Sequence, residues 1–255
     1  MFIHASKDMH VRALNRKFEL VKNDSLRDVG AKYELHVTAD MIDRVMQDQT
    51  VTVGANEELV AQGRYTKMVG QNETRTISGS RTLKVGDAYT TSVDKDRTLS
   101  VGAAMLDLTL GTVSTTANDA TAMVGGAVVR VSGGNITEDT AKVANQLVGA
   151  AKLEFAKENR PTDVGDLLKE SVFGAMKLTT NGRYLDNADT TSDWIVLDDL
   201  DADAPKVRIE AEEKITIRCG SSRLVIDESE IRIEASNLDL TGAHIDSDTQ
   251  QIKHN

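Results

Sequence analysis

The stretch that decides the fold runs from residue 69 to residue 102 and reads VGQNETRTISGSRTLKVGDAYTTSVDKDRTLSVG. Val-Gly recurs in it at Val69, Val85 and Val101, and Ile77 and Val93 occupy the positions halfway between. The period is therefore eight residues. It extends towards the N-terminus, and we predict a core ladder made of Val21, Val29, Val37, Val45, Val53, Val69, Ile77, Val85, Val93 and Val101.

An eight-residue period fits β-strands and does not fit a helix. Residues eight apart in an α-helix lie about 80° apart around the axis, so the ladder would leave any single face. Side chains in a strand alternate with a period of two, and eight is a multiple of two. Pairs such as Leu83-x-Val85 and Leu99-x-Val101 place two apolar side chains on one side of such a strand. Each octad is therefore predicted to be a short strand followed by a turn.

The turns are predicted from the residues that follow the ladder. Gly often comes directly after the ladder residue, and Asp or Asn often stands three residues after it, as at Asp48, Asn56 and Asn72. Gly permits a sharp bend, and Asx side chains in turns commonly bond their own backbone. We therefore expect the carboxylates at these positions to be structural.

The octads bury little apolar surface in a lone chain. Aromatic residues make up only 4% of the sequence, and most positions between the ladder residues are charged or polar. At about 25 cal/mol per Å², one Val in eight residues would not offset the entropy of ordering the chain. Three chains wound around one axis would bring their ladders together. The predicted fold class is all-β, an intertwined trimeric (triple-stranded) β-helix with octapeptide repeats; a monomeric β-solenoid is the alternative.

The octads divide the chain into three predicted parts. The octad-repeat shaft covers residues 1–180, with a slip of one residue between Gly102 and Gly125 and, within 150–178, a choice between strand and a short helix that we resolve as strand. Residues 181–206 lose the repeat and are predicted to form an irregular acidic insertion or loop. Residues 207–255 are predicted to form a distal β-helix and tip. Apolar pairs such as Val207-x-Ile209 and Ile231-x-Ile233 predict that the distal column is the better packed one.

Composition argues against several classes of protein. The net charge of −10 argues against a nucleic-acid partner and against binding to an anionic membrane. The single Cys219 leaves no intrachain disulfide framework and no multi-cysteine metal site, and its phase predicts a buried, inert thiol. No apolar run approaches the roughly 18 residues of a membrane span, and the N-terminus does not resemble a signal peptide. We therefore expect assembly in the cytoplasm.

Residues with catalytic or metal-binding chemistry do not form a recognisable motif. The five histidines show no metal-ligand spacing, so no metal is expected, although three copies of His254 could meet on a trimer axis. Asp199, Asp201 and Asp203 alternate like part of a calcium loop but lack its Gly and distal Glu. With Trp194, these three form a possible cargo loop. No nucleophile elbow, phosphate loop or zincin motif occurs, so we expect no cofactor and no enzymatic activity.

The ordered features together resemble a known family. The repeated Val-Gly-x-Asx octads, then EKITIRCGSS at 213–222 and IDESEIRI at 226–233, resemble the C-terminal half of the valine-glycine repeat protein G (VgrG) family. The opening residues 3–9 resemble the start of that family's needle. The segment TGAHIDSDT at 241–249 resembles its tip, which implies tip-protein binding at Thr241, Gly242, Ala243, His244 and Ile245.

The resemblance implies a function as well as a fold. It implies a homotrimeric puncturing spike of the bacterial type VI secretion system, similar to the needle of contractile phage tails. Such a spike carries a PAAR-repeat tip protein and effector proteins to the exterior or a target cell, and meets the target membrane only by puncturing it. The family's base domains, which seat a spike on the tail tube, have no counterpart in the sequence, and no further effector domain is expected after Ile245.

Two other functions are weighed against the spike. A fibrous adhesin or receptor-binding phage tail fibre is the main alternative, but such proteins usually end in an aromatic-rich head. An enzyme is the third possibility, and the absence of a catalytic motif from the sequence argues against it.

Overall fold

The computed structural model of the protein describes residues 1–236, and the described part is built of thirty β-strands with no helix. The first nine strands are β1 (Phe2–Ala5), β2 (Met9–Ala13), β3 (Lys17–Val21), β4 (Ser25–Val29), β5 (Tyr33–Val37), β6 (Met41–Val45), β7 (Gln49–Val53), β8 (Glu57–Ala61) and β9 (Tyr65–Val69). The next nine are β10 (Glu73–Ile77), β11 (Arg81–Val85), β12 (Tyr89–Val93), β13 (Asp96–Val101), β14 (Met105–Thr109), β15 (Val113–Ala117), β16 (Asp119–Val124), β17 (Val128–Ser132) and β18 (Ile136–Thr140).

The remaining strands continue the series to the distal end. They are β19 (Ala144–Val148), β20 (Lys152–Ala156), β21 (Arg160–Val164), β22 (Leu167–Val172), β23 (Met176–Thr180), β24 (Arg183–Ala188), β25 (Thr191–Val196), β26 (Leu200–Asp203), β27 (Lys206–Ala211), β28 (Lys214–Cys219), β29 (Ser222–Asp227) and β30 (Ile231–Glu234). Residues 150–178 therefore form strands, as predicted.

The strands form three parallel sheets around one column. Every third strand belongs to the same sheet: the first sheet runs from β1 through β4 and β7 to β28, the second from β2 to β26, and the third from β3 to β27. Each strand pairs with the strand one turn later, so that Ile77, for example, lies beside Val53 on one side and Val101 on the other. The result is a three-sided solenoid of nine turns, from β1 to β27.

A turn of the solenoid contains three octads. The pairing offset is 24 residues, because each octad contributes one strand and one corner to one side of the column. This corrects the expectation that an eight-residue unit is too short for a single-chain coil: one chain reaches the required turn length with three consecutive units. The predicted one-residue slip also appears, since β13 pairs with β16 at an offset of 23 residues.

The ladder residues face the axis of the column. All ten predicted ladder positions are buried, with at most 6% of their surface exposed. The first and third residues of most strands in the central turns face inwards as well, which gives the alternating burial of β7 and β11. The core is therefore wider than one Val per octad, because Leu, Tyr and Met also occupy inward positions.

The corners of successive turns lie very close together. A Cβ added to Gly54 would lie 2.1 Å from the carbonyl oxygen of Gly30, the corner one turn earlier. The Gly of Val-Gly is therefore required by the approach of two backbones, and not only by a bend.

The Asx side chains at the corners join neighbouring turns. Asn56 Oδ1 accepts a hydrogen bond from the backbone N–H of Ser80 at 2.9 Å, and Asp48 Oδ1 accepts one from Asn72 at 2.9 Å. Asn159 Oδ1 accepts one from Arg183 in the same way. The expectation that these side chains bond their own turn is wrong, because the corner 24 residues later presents its N–H groups directly to them.

Residues 181–206 continue the repeat instead of forming an irregular insertion. Within them, β24 pairs with β21 and β25 pairs with β22, both at the regular 24-residue offset. Asn181-Gly182 is a corner of the column. The prediction failed because Trp194 and Asp186 occupy inward positions where the octads otherwise carry Val or Leu, which hid the period.

The distal end departs from the solenoid. After β28 the first sheet alone continues, through the antiparallel strands β29 and β30, with Gly220 in the left-handed region at φ 54° between β28 and β29. The prediction that the distal column is better packed is wrong for the described residues: Ile231 is 70% exposed and Ile233 is 48% exposed. The sheet there has aliphatic residues but no opposing sheets from its own chain.

Candidate functional site

The inside of the shaft holds charged side chains between its aliphatic rungs. Thirteen charged residues in the described part of the chain are buried, six of them basic and seven acidic; the basic ones are Arg27, Lys67, Arg75, Arg81, Lys152 and Arg160, and the acidic ones are Asp43, Glu57, Glu73, Asp107, Glu154, Glu170 and Asp186. Each has an oppositely charged group within 4.0 Å. Burial of a charge is costly without such a partner, so the near balance of signs is what allows these residues to be inside.

One cluster is centred on Arg160. Its Nη1 donates to Asp186 Oδ1 at 2.8 Å, and its Nη2 donates to Glu154 Oε2 and Glu138 Oε2, both at 3.3 Å. Lys152 Nζ donates to Glu170 Oε1 at 2.9 Å in the same cluster. The guanidinium of Arg160 therefore neutralises several carboxylates that come from different sides of the column.

Aromatic side chains close this cluster on its distal side. The hydroxyl of Tyr184 donates to Asp186 Oδ2 at 2.9 Å, and the ring of Tyr184 lies 5.2 Å from the Arg160 guanidinium carbon. Trp194 packs edge-on against Tyr184, with 5.7 Å between ring centroids. Burial raises the pKa of Asp186 to about 6 and Glu170 adds to the effect, while Arg160 opposes it. Among the carboxylates of this cluster, Asp186 is thus the one most easily protonated.

A second cluster lies nearer the N-terminus. Arg75 Nη1 donates to both carboxylate oxygens of Glu57, at 2.7 and 2.8 Å, and Arg81 Nη1 donates to Asp107 Oδ1 at 2.6 Å. Lys67 and Glu73 pair within it. These contacts join consecutive octads on different sides of the column, because residues six to eight apart lie on adjacent sides.

The buried clusters have no access to a substrate. Their side chains are enclosed by the three sheets, and their hydrogen bonds are made to one another. Within residues 1–236, no group of three or more His, Cys, Asp and Glu side chains is arranged to hold a metal ion. The arrangement joins the sides of the column, and this contribution is mechanical.

The predicted site residues fall into three groups. Trp194 is 1% exposed, so its assignment to an outward cargo loop is wrong; it packs in the core. Asp199 lies at a corner, whereas Asp201 and Asp203 are exposed on β26, where Asp201 pairs with Lys177 at 3.1 Å. The predicted tip residues 241–245 and the axial candidate His254 lie outside the described residues.

Cys219 follows the inward phase only in part. It lies beside Val196 in the first sheet, and its Sγ donates to the Asp198 carbonyl oxygen at 3.1 Å. The thiol is half-buried and not fully enclosed, because the second and third sheets end near this level.

Sequence reasoning missed the buried charges. The signal was present: Arg75 precedes the ladder residue Ile77 by two residues and Glu73 precedes it by four, so both share its phase. Charged residues were assigned to the surface by type, although the period of two already placed them inside.

The fold defines a class of protein, the β-helical shaft of a fibrous assembly. A family model, described as the bacteriophage T4 gp5 C-terminal trimerisation domain, matches residues 1–93 and again residues 34–110. The two matches together cover residues 1–110, which is less than half of the chain. They support a trimeric β-helix of the phage tail-spike type. No curated protein and no solved structure matches the sequence.

Within residues 1–236, no helix has the length and apolar character that a membrane span requires.

Proposed function

We propose that this protein is the shaft of a puncturing spike in a contractile injection machine, of the VgrG type found in type VI secretion. The observation that supports the proposal is a continuous β-helix of nine turns whose first 110 residues match a spike trimerisation domain. The proposed role is mechanical and not enzymatic. The chain would be assembled in the bacterial cytoplasm and driven outwards by contraction.

A homotrimer needs a winding in which three chains share one column. The octad permits it: if three chains each advance by one side per octad, residue i of one chain lies beside residue i+8 of a neighbour. In the single chain, residue i lies beside residue i+24. Because 24 is three times eight, both windings place ladder residue on ladder residue. We propose the three-chain winding for the assembled spike.

The two windings differ threefold in length. With strands about 4.8 Å apart, nine turns of one chain give a column of about 43 Å, and the 27 octads of three intertwined chains give about 130 Å. Electron microscopy of the purified full chain, with light scattering for its mass, separates them. A particle of about 83 kDa, three times 27.7 kDa, and about 130 Å long is the expected result. A 27.7 kDa particle about 43 Å long would refute the trimeric spike.

A cross-linking pair gives a second test of the winding. In a Cys219→Ser background, cysteines at outward positions Thr74 and Thr82 should cross-link between chains in the three-chain winding, since these positions are eight residues apart. Cysteines at Thr74 and Thr98, which lie side by side within one chain of the single-chain winding, provide the matched control. Efficient intrachain linkage of the control pair with no interchain product would contradict the proposal.

Delivery of a tip protein and effectors is the finer part of the proposal, and it comes from the resemblance of residues 241–245 to a needle tip. A pull-down with a PAAR-repeat protein tests it, using the full chain and a chain that lacks residues 241–255. Binding by the full chain and its loss on deletion are expected. Equal binding by both chains would show that the tip assignment is wrong.

A further inference from the structure

The distal sheet has one aliphatic face and one charged face. In β28, β29 and β30 the aliphatic residues stand in register: Ile215 lies opposite Ile226, Ile217 opposite Leu224, and the same β29 residues lie opposite the two isoleucines of β30. The other face carries Lys214, Arg218, Arg223, Arg232 and Glu234. Six aliphatic side chains thus share one face; they are Ile215, Ile217, Leu224, Ile226, Ile231 and Ile233.

This aliphatic face continues the buried column of the shaft. Ile217 lies beside Trp194 in the first sheet and packs against the main core cluster. At this level the second sheet ends with β26 and the third with β27. The column is three-sided up to that point, and beyond it the described part of the chain supplies a single side. The outermost strand, β30, consequently has its isoleucines exposed.

We infer that the aliphatic face of β28–β30 packs against the same face of two further copies of this chain. The missing part of the column is two sides, and a threefold axis supplies two sides identical to the one present. Aliphatic faces are self-complementary, whereas the charged faces would remain in solvent. The inference rests on the proposed homotrimer and adds to it a second trimer contact, 100 residues beyond the part that matches the trimerisation domain.

The geometry also distinguishes this end from the shaft. In the shaft each side of a three-chain column would be built by all three chains in rotation. In the distal sheet the chain stops changing sides, because β28, β29 and β30 follow one another antiparallel in one sheet. Each copy would therefore build its own side, and the contact would form by docking of three finished sheets.

Cross-linking in the full chain tests this contact. Cys219 is first replaced by Ser, so that a single thiol can be introduced at Ile233 on the aliphatic face or at Arg232 on the charged face. Mild oxidation and a non-reducing denaturing gel then report interchain disulfides, which form only when Cβ atoms approach within about 4.5 Å. Light scattering of the same samples gives their mass. We expect the mass of a trimer for both variants and a two-chain product from Ile233→Cys but not from Arg232→Cys.

The possible failures are distinguishable. A trimer whose Ile233→Cys variant does not cross-link, or cross-links no better than Arg232→Cys, overturns the distal contact and leaves the homotrimer standing. A single-chain mass overturns both. A single-chain particle in which the Ile233→Cys thiol resists a water-soluble alkylating reagent would mean that residues 237–255 of the same chain cover this face, and would also refute the inference.

A charge substitution gives an independent measurement. Ile231→Glu with Ile233→Glu would place carboxylates in the contact, so we expect distal residues to become sensitive to limited proteolysis while β1–β27 stay protected. Arg232→Glu changes charge on the opposite face and should leave the proteolysis pattern unchanged. Equal protection of the double variant and the wild type would contradict the inference.

Discussion

The shaft and the distal sheet distribute their residues in opposite ways. The shaft, β1 to β27, encloses thirteen charged side chains, whereas the distal sheet exposes isoleucines on β30. The difference follows from the number of sides: three sheets close a column and bury whatever faces its axis, and one sheet buries nothing by itself. Burial in this fold is therefore decided by position around the axis more than by the polarity of the residue.

The largest effect is expected from removing a charge partner inside the shaft. Arg160→Met would leave Glu154, Glu138 and Asp186 with fewer partners in a closed interior, and should lower the free energy of unfolding by about 4 kcal/mol. Denaturant unfolding followed by circular dichroism measures it.

The control for that prediction is an ion pair on the outer surface. Lys177 and Asp201 lie 3.1 Å apart with side chains about half exposed, so Lys177→Met should cost less than about 1 kcal/mol. Equal losses from Arg160→Met and Lys177→Met would mean that the interior of the shaft is open to water.

The second prediction concerns pH. The buried Asp186 has a pKa of about 6 against an ordinary 3.8, so the folded chain binds its proton more tightly than the unfolded chain does. Its contribution to stability is complete below the ordinary value and is lost as the pH rises through about 6. The loss is worth about 3 kcal/mol. Asp186→Asn should remove it, so the stability of the variant relative to the wild type should rise by about that amount between pH of about 4 and about 7.

Urea unfolding at several pH values across this range measures the difference. Asp163→Asn, which removes a negative charge from the exposed side of the neighbouring strand β21, is the matched control. A parallel pH dependence of wild type and Asp186→Asn would contradict the assignment.

The third prediction compares glycines of the two regions. Gly54→Ala in the shaft would push a Cβ to 2.1 Å from the Gly30 carbonyl oxygen and should cost about 2 kcal/mol or more. Gly220→Ala in the distal turn meets no close atom, with 3.6 Å to the Leu197 carbonyl oxygen, but its φ of 54° should cost about 1 kcal/mol. Thermal unfolding of both variants gives the comparison, and a larger cost at Gly220 would contradict the packing of the corners.

The smallest effect is expected at the Asx corners. Asn56→Ala removes the acceptor for the Ser80 N–H and should cost about 1 kcal/mol, because the corner is exposed to water that can replace the bond. Ser80→Ala, at the equivalent position of a later octad, should change stability by less than about 0.5 kcal/mol. If both substitutions are equally neutral in denaturant unfolding, the bonds between turns do not stabilise the shaft.

Much of the fold could be predicted from the octad. Val53, Ile77 and Val101 share one phase, and a period of eight allows only strands that return to the same face. The strands of residues 150–178 were predicted for the same reason. Residues 181–206 were not, because Trp194 and Asp186 replace aliphatic residues at inward positions, and residue type was given more weight than phase.

The candidate surfaces were less accessible to prediction. The possible cargo loop around Trp194 proved to be core, and the amphipathic distal sheet was interpreted as a better-packed column. A strand with alternating isoleucines reads the same whether its apolar face is covered or not, since coverage depends on other strands distant in the sequence.

The sequence by itself determined the repeat, the strand-and-corner unit and the set of residues that face the axis, because the periods of eight and two are properties of the chain alone. Only the tertiary structure decided that three octads complete a turn, that Arg160 meets carboxylates from different sides, and that the first sheet outlasts the other two. These features depend on how separate octads close around an axis, and an octad carries no information about which others it will face.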